Sequence, residues 1–263
     1  MPKNTSKPSL KSSNKKADYY DDGEYNYLHY WSGRDYEHAS EEMAIRRLLK
    51  GKRFRHAVDI GGGYGRLCVL LQEYADKVTL TEPSKQQLDI AAEYLKDYPR
   101  IDHIRMQADD MKFKDGSIDL ITMIRVMHHL PDPSQELKEI SRVLSDDGVF
   151  ILEMANYTHG RNRLKHLLKV KAMPKEPVDI RSEKNRIEGA IPFVNHNPKT
   201  VIKQLAHAGL KVEKTLSVSN LRSPGLKKIL PRGFMLSVEK VMQPLLARTY
   251  FGPSVFFLVR KAK

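Results

Sequence analysis

Through residue 156 the chain alternates short apolar runs with stretches of helical spacing. Ala57, Val58 and Ile60 form a run that reads as a buried strand, closed by a glycine cluster, with a helical pattern from Gly65 onward. The runs KVTLTE ending at Glu82, HIRMQA at 103–108, the stretch 118–132 and Val149 to Ala155 read as further strands. Between them, Leu67, Leu70 and Leu71 continue the helix after the glycines, and Ser84 with Gln87 forms a capping box for the next one. Asp132, Pro133 and Gln135 open a helix that turns Leu137, Ile140, Val143 and Leu144 inward. Strand and helix in strict alternation imply a three-layer α/β domain, with a mostly parallel sheet between two helical faces.

The pattern changes at both ends. Residues 1–17 are poor in apolar positions and read as a disordered basic tail. Residues 18–37 hold six tyrosines and the only tryptophan, Trp31, an aromatic arm that suits either a lid, with Tyr30 or Arg34 reaching a ligand, or packing on the sheet edge. A helix follows from about His38 to Lys50, and a single domain is expected over 38–263, with insertions at 157–196 and 220–252. The helix from Asn197 to Gly209 and the strands KVEKTLSVS and SVFFLVRK complete the chain. Inside the second insertion, Phe234, Met235, Val238, Val241, Met242 and Leu245 recur at helical spacing beside Lys227, Lys228, Arg232 and Lys240. Such a stripe suits a cap helix, an apolar acceptor pocket or a membrane-surface contact.

Charge sharpens the division. The net charge of +13 is concentrated at the ends, with 22 basic against 6 acidic residues over 157–263. That half suits an acidic partner, an anionic lipid surface or nucleic acid, or simply a solvated basic face. The lone cysteine, Cys68, excludes an internal disulfide, and no run approaches the roughly 20 apolar residues of a membrane span. A cytoplasmic protein, or one peripheral at a membrane, is the expectation.

The glycine cluster carries the candidate chemistry. Counting from Gly61, the sixth position is Arg66, which excludes the dinucleotide fingerprint. Asp59, Gly61, Gly63 and Gly65 instead spell Asp-x-Gly-x-Gly-x-Gly, which resembles the first motif of class I S-adenosylmethionine-dependent methyltransferases. Glu82 stands about twenty residues beyond the first glycine, where an acid can accept from both ribose hydroxyls, and Pro83 holds it extended. The positive end of the helix after the glycines would take the methionine carboxylate. IDLITMIRVMHHLPD resembles the fourth-strand segment of the subfamily that includes quinone-biosynthesis and sterol-type enzymes.

The resemblance implies a seven-stranded Rossmann-like sheet with its last strand antiparallel and S-adenosylmethionine as cofactor; His128 and His129 lack the ligand spacing and cysteine partners of a metal site, so no metal is expected. Asp59, Gly61, Gly62, Gly63, Gly65, Glu82 and Pro83 would hold the cofactor, with Gln107, Ala108 and Asp109 at its adenine and Arg125 close by. Alignment on Phe113 favours Gln107 and Ala108 for the adenine, with Asp109 competing, since Met111 and Lys112 replace the family's Leu and Pro. Arg125, His128 and His129 are the catalytic candidates, and His128 and His129 should point to opposite faces of an extended segment. His159, Arg161 and Arg163 are candidates for an anionic acceptor. A small lipophilic or anionic acceptor is the leading expectation. A nucleic-acid substrate or a non-catalytic scaffold stands behind it, and the oligomeric state is left open.

Overall fold

The computed structural model describes residues 31–188 and 190–262. The basic tail, Tyr30 and most of the aromatic arm lie outside the described residues.

Helix α1 (Asp35–Leu48) precedes the first strand, β1 (Phe54–Ile60). Then come the short α2 (Cys68–Leu71), β2 (Ala75–Glu82), α3 (Lys85–Tyr94), β3 (Ile101–Arg105) and β4 (Ile118–Met123). A 3-10 turn, Met127–His129, leads to α4 (Ser134–Val143) and β5 (Leu144–Ala155). The segment 157–196 adds α5 (Gly160–Leu168), β6 (Val178–Asp179), α6 (Glu183–Ile187) and β7 (Val194–Asn195). Last come α7 (Pro198–His207), β8 (Leu210–Val218), α8 (Pro224–Ile229), α9 (Arg232–Leu245) and β9 (Ser254–Lys261).

Seven strands make one sheet in the order β3-β2-β1-β4-β5-β9-β8. Only β9, the last in sequence, runs against its neighbours β5 and β8. This is the expected sheet. Alternate residues along each strand serve opposite layers, so Ala57, Ile151 and Phe256 face one side while Val58, Leu152 and Phe257 face the other. The first layer packs Ala44, Ile45 and Leu48 of α1, Cys68 and Leu71 of α2 and Ala91 of α3. The second packs Leu137, Ile140 and Val143 of α4 with Val201 and Leu205 of α7. Each fully buried Leu, Ile or Phe contributes about 1.5–3 kcal/mol, and these two cores hold the sheet rigid beneath its loops.

Three elements differ from the sequence expectation. The third strand stops at Arg105, leaving Gln107–Asp109 in the loop beyond it. The fourth stops at Met123, because the following residues curl into the 3-10 turn, where backbone geometry is no longer extended. The helix after the glycines has only four residues. One turn sums few peptide dipoles, so the helix-end argument for a carboxylate loses its basis.

Candidate functional site

Strand order reverses between β1 and β4, and ligands of open α/β sheets bind where it does, outside the carboxyl ends of the strands. A cavity of about 530 Å³ opens there, within the range of small-molecule sites. Its floor is Ile60, Gly61 and Gly63; Glu82, Pro83 and Gln87 form one wall, and Gln107, Ala108 and Asp109 continue it. Across from them stand Arg125, Val126, His129 and Leu130, and Ile191 with Pro192 adds a flap from the first insertion.

The glycine loop is held at both ends. Gly61 N–H donates to the Thr81 carbonyl over 2.8 Å, and Gly63 N–H donates to Glu82 Oε2 over 2.9 Å. Ser84 N–H reaches the other Glu82 oxygen at 3.0 Å, so the carboxylate is fixed in orientation at the pocket wall. Gly61 and Gly63 both take φ of 60°, a left-handed geometry that side chains resist. A Cβ on Gly61 would also sit 2.6 Å from Val126.

Asp59 lies beneath this loop. It is buried, accepts from the Thr122 hydroxyl over 2.6 Å, and burial pushes its carboxyl up to about 6. Beside the pocket a second buried acid, Glu41 of α1, binds two guanidinium groups, Arg125 Nε at 2.6 Å and Arg66. The Arg66 guanidinium carbon sits over the Trp31 ring, 3.7 Å from its centre. Arg125 itself has φ of 61°, and its backbone N–H donates to the buried Glu153 over 2.9 Å. A left-handed arginine is backbone strain, held in place by bonds at both its ends.

His129 Nδ1 lies 2.9 Å from the Pro192 carbonyl, which only accepts. The hydrogen therefore sits on Nδ1 and the lone pair on Nε2. Burial lowers this imidazole below its ordinary range, which keeps it neutral at pH 7.

Residues 58–152 match the family model described as a methyltransferase domain. This segment is similar to a methyltransferase domain. The chain is 30% identical over 116 residues to the uncharacterized methyltransferase YcgJ of Bacillus subtilis, a match covering 43% of this chain and 46% of that protein. It is 27% identical over 109 residues to a ubiquinone biosynthesis O-methyltransferase of Coxiella burnetii, covering 41% and 45%. The chain thus spans about half the length of the curated relatives it matches. A chain from the complex between the Haloferax volcanii Trm112 methyltransferase activator and the putative methyltransferase shares the fold, at TM-score 0.61 and 19% identity over 92% of this chain and 95% of that one.

Within the matched segment, Gly61, Gly63, Glu82, Pro83, Gln107, Ala108, Asp109, Arg125 and His129 converge on the cavity. Asp59, Gly62 and Gly65 do not line it. Asp59 supports the loop from below, and Gly62 leaves room for it, since a Cβ there would lie 2.5 Å from Asp59 Oδ2. His128 also turns away. Instead of pointing opposite to His129, its ring lies 4.0 Å from the His129 ring and 4.4 Å from Phe193, because both histidines belong to the 3-10 turn. Burial, then His129, Arg125 and His196, push the His128 imidazole well below its usual range.

His159, Arg161 and Arg163 lie at the start of α5, outside the pocket lining, and Arg163 is bonded to the Thr158 carbonyl. The sequence reading missed Gln87, Asp132, Gln135 and Glu136 as pocket residues, and Ile191 and Pro192 as its flap. For Gln87 and Gln135 the signal was present, since both were placed in the first turn of helices that start at the sheet's carboxyl edge. For Ile191 and Pro192 there was none, because they arrive from an insertion with no periodic pattern. Among the described residues no group of three or more His, Cys, Asp or Glu is placed to hold a metal ion. No helix among them is long and apolar enough to cross a membrane.

Proposed function

We propose that this cavity binds S-adenosylmethionine and that the protein transfers its methyl group to a small lipophilic acceptor. The observation that carries the reading is Gln87. Its side chain lines the cavity at 2% exposure, and among the described residues neither its amide oxygen nor its amide nitrogen has a hydrogen-bond partner. A buried amide left unmade costs about 1–3 kcal/mol, a deficit that a polar ligand removes. Beside it, the fixed carboxylate of Glu82 suits a pair of ribose hydroxyls, and Gln107 or Asp109 suits the adenine amino group.

When bound, the cofactor supplies an electrophilic methyl on a good thioether leaving group. The chain's part is to orient the acceptor, exclude water and take a proton where the acceptor has one to lose. His129 Nε2 is the group for that proton. His129 lines the pocket together with Leu130, Ile191 and Pro192, an apolar surface for the acceptor.

The lining argues against an anionic acceptor. Among the described residues, Glu82, Asp109, Asp132 and Glu136 bring four carboxylates to the wall, while the one arginine lining it, Arg125, is turned to Glu41. Such a site favours a cationic cofactor and a neutral or apolar second ligand.

Calorimetric titration with S-adenosylhomocysteine tests the cofactor half. Micromolar binding is expected, and Glu82→Ala should weaken it at least tenfold, about 1.4 kcal/mol. Binding that is absent, or unchanged in the variant, removes the assignment.

A further inference from the structure

Helix α9 is built inside out. The side it turns to α1 and β8 carries Met235, Glu239 and Gln243, all buried. The side it turns to solvent carries Phe234, Val241 and Leu245, which are 56%, 63% and 71% exposed, with Val238 half-buried between them. Positions 234, 238, 241 and 245 follow one another along a single helical face. The sequence's stripe is therefore split, and most of it faces water.

The inward polar residues explain why the helix cannot roll over. Glu239 accepts from the Tyr36 hydroxyl at 2.7 Å, from Ser219 N–H at 2.8 Å and from Asn220 N–H at 3.0 Å. Gln243 donates to the Ser40 carbonyl over 2.9 Å. Rotating α9 to bury its apolar face would strand these groups, so the exposure is fixed by the fold.

A second apolar face lies close by. Helix α5 has no buried residue, and Leu164, Leu167 and Leu168 are 57%, 74% and 75% exposed. Phe251 connects the two faces. It follows α9 and its 3-10 turn, is 44% exposed, and accepts at its carbonyl from Gly160 N–H over 2.9 Å at the start of α5. Patches of this kind mark interaction surfaces.

Charge selects the occupant. Residues 157–175 contain no acid, and the one acid over 220–252 is the buried Glu239. Lys165, Lys169, Lys228, Arg232, Lys240 and Arg248 are all exposed on these segments. Leucines and phenylalanine inserting between lysines and arginines match an anionic lipid surface, whose acyl boundary takes the apolar face while the headgroups take the charge. Nucleic acid would pair with the basic residues and leave the aliphatic ones in water. We propose that α5 and α9 seat this protein on an anionic phospholipid membrane. The proposal uses none of the pocket residues, so it stands or falls apart from methyl transfer.

The test is sedimentation of the full chain with phosphatidylcholine vesicles, with and without phosphatidylglycerol. Binding only to the anionic vesicles is expected, weakening as salt rises. The double variant Val241→Glu/Leu245→Glu should lower partitioning at least tenfold with its melting temperature unchanged. Lys228→Glu/Lys240→Glu should lower it too, and supplies a second reading should the first variant fold poorly. The proposal is overturned by no binding to either vesicle, or by variants that bind as wild type. A dimer dispersed by the double variant in the absence of lipid would overturn it in favour of self-association. Competition for the surface by RNA at lower concentration than vesicles would overturn it in favour of nucleic acid.

Discussion

Arg125, two residues beyond β4, donates from Nε to Oε1 of Glu41 on α1, 84 residues earlier in the chain, over 2.6 Å. Burial works to raise the Glu41 carboxyl, and Arg125 with Arg66 overcomes it, holding the group below its usual range. One buried carboxylate thereby ties the N-terminal helix to the glycine loop and to the pocket wall.

Glu41→Gln should therefore cost about 3–5 kcal/mol, the penalty for leaving buried cations without their anion. Chemical denaturation reads the loss. A change below about 1 kcal/mol would mean that water already solvates the two guanidinium groups.

Asp59 gives a pH signature of the opposite sign. Its folded value of about 6 lies above the ordinary 3.8, so the fold favours the protonated form. Its stabilisation is complete below pH 3.8 and is lost as pH rises through about 6. Asp59→Asn keeps an acceptor for the Thr122 hydroxyl and removes the charge. It should stabilise the protein at pH 8 by up to about 3 kcal/mol, with the gain vanishing near pH 4. Denaturant midpoints at the two pH values check this.

Much of this was legible in sequence. The first strand, the glycine loop and the capping box at Ser84 follow from residue type and spacing, and Ser84 Oγ accepts from Gln87 N–H at 3.2 Å as that spacing implies. Glu82 reaches the pocket because strand length and loop length fix where β2 ends. The 3-10 turn at Met127–His129 was hidden, since three residues are too few to show a helical period. The orientation of α9 was hidden for a different reason. Periodicity identifies two faces of a helix, but here Tyr36, Ser219 and Asn220, distant in sequence, decide that the polar one goes inward.

Gln87→Met should separate the cost of the orphaned amide from its use. Without ligand the variant should be more stable by about 1–3 kcal/mol, since the unmade amide at this position is gone. The melting-temperature rise produced by S-adenosylhomocysteine should shrink at the same time. A variant that keeps the full ligand-induced rise would take Gln87 out of the binding site.

For His129 the expected readout is turnover, once a screen of lipophilic acceptors has supplied a substrate. A neutral imidazole with a lowered pKa implies a rate that is flat through neutral pH and falls only below pH 6.5, as the ring gains its proton. His129→Ala should lower kcat by about 100-fold with the dissociation constant of S-adenosylhomocysteine unchanged. A kcat within twofold of wild type would leave positioning as the only role of this wall.

The first insertion leaves the sheet and returns to it at nearly the same point. Ala155 accepts from His196 N–H at 2.8 Å, His196 accepts from Tyr157 N–H at 2.9 Å, and Asn156 and His196 form a β-bridge. Between those bonds the chain travels out through α5 and comes back through Ile191 and Pro192 at the pocket. Lengthening such a loop costs only about 0.6 kcal/mol for each doubling. The insertion is therefore a cassette on a fixed hinge point. Its sequence can be exchanged, and the flap over the cavity reshaped, while the glycine loop, Glu82 and the sheet beneath them keep their places.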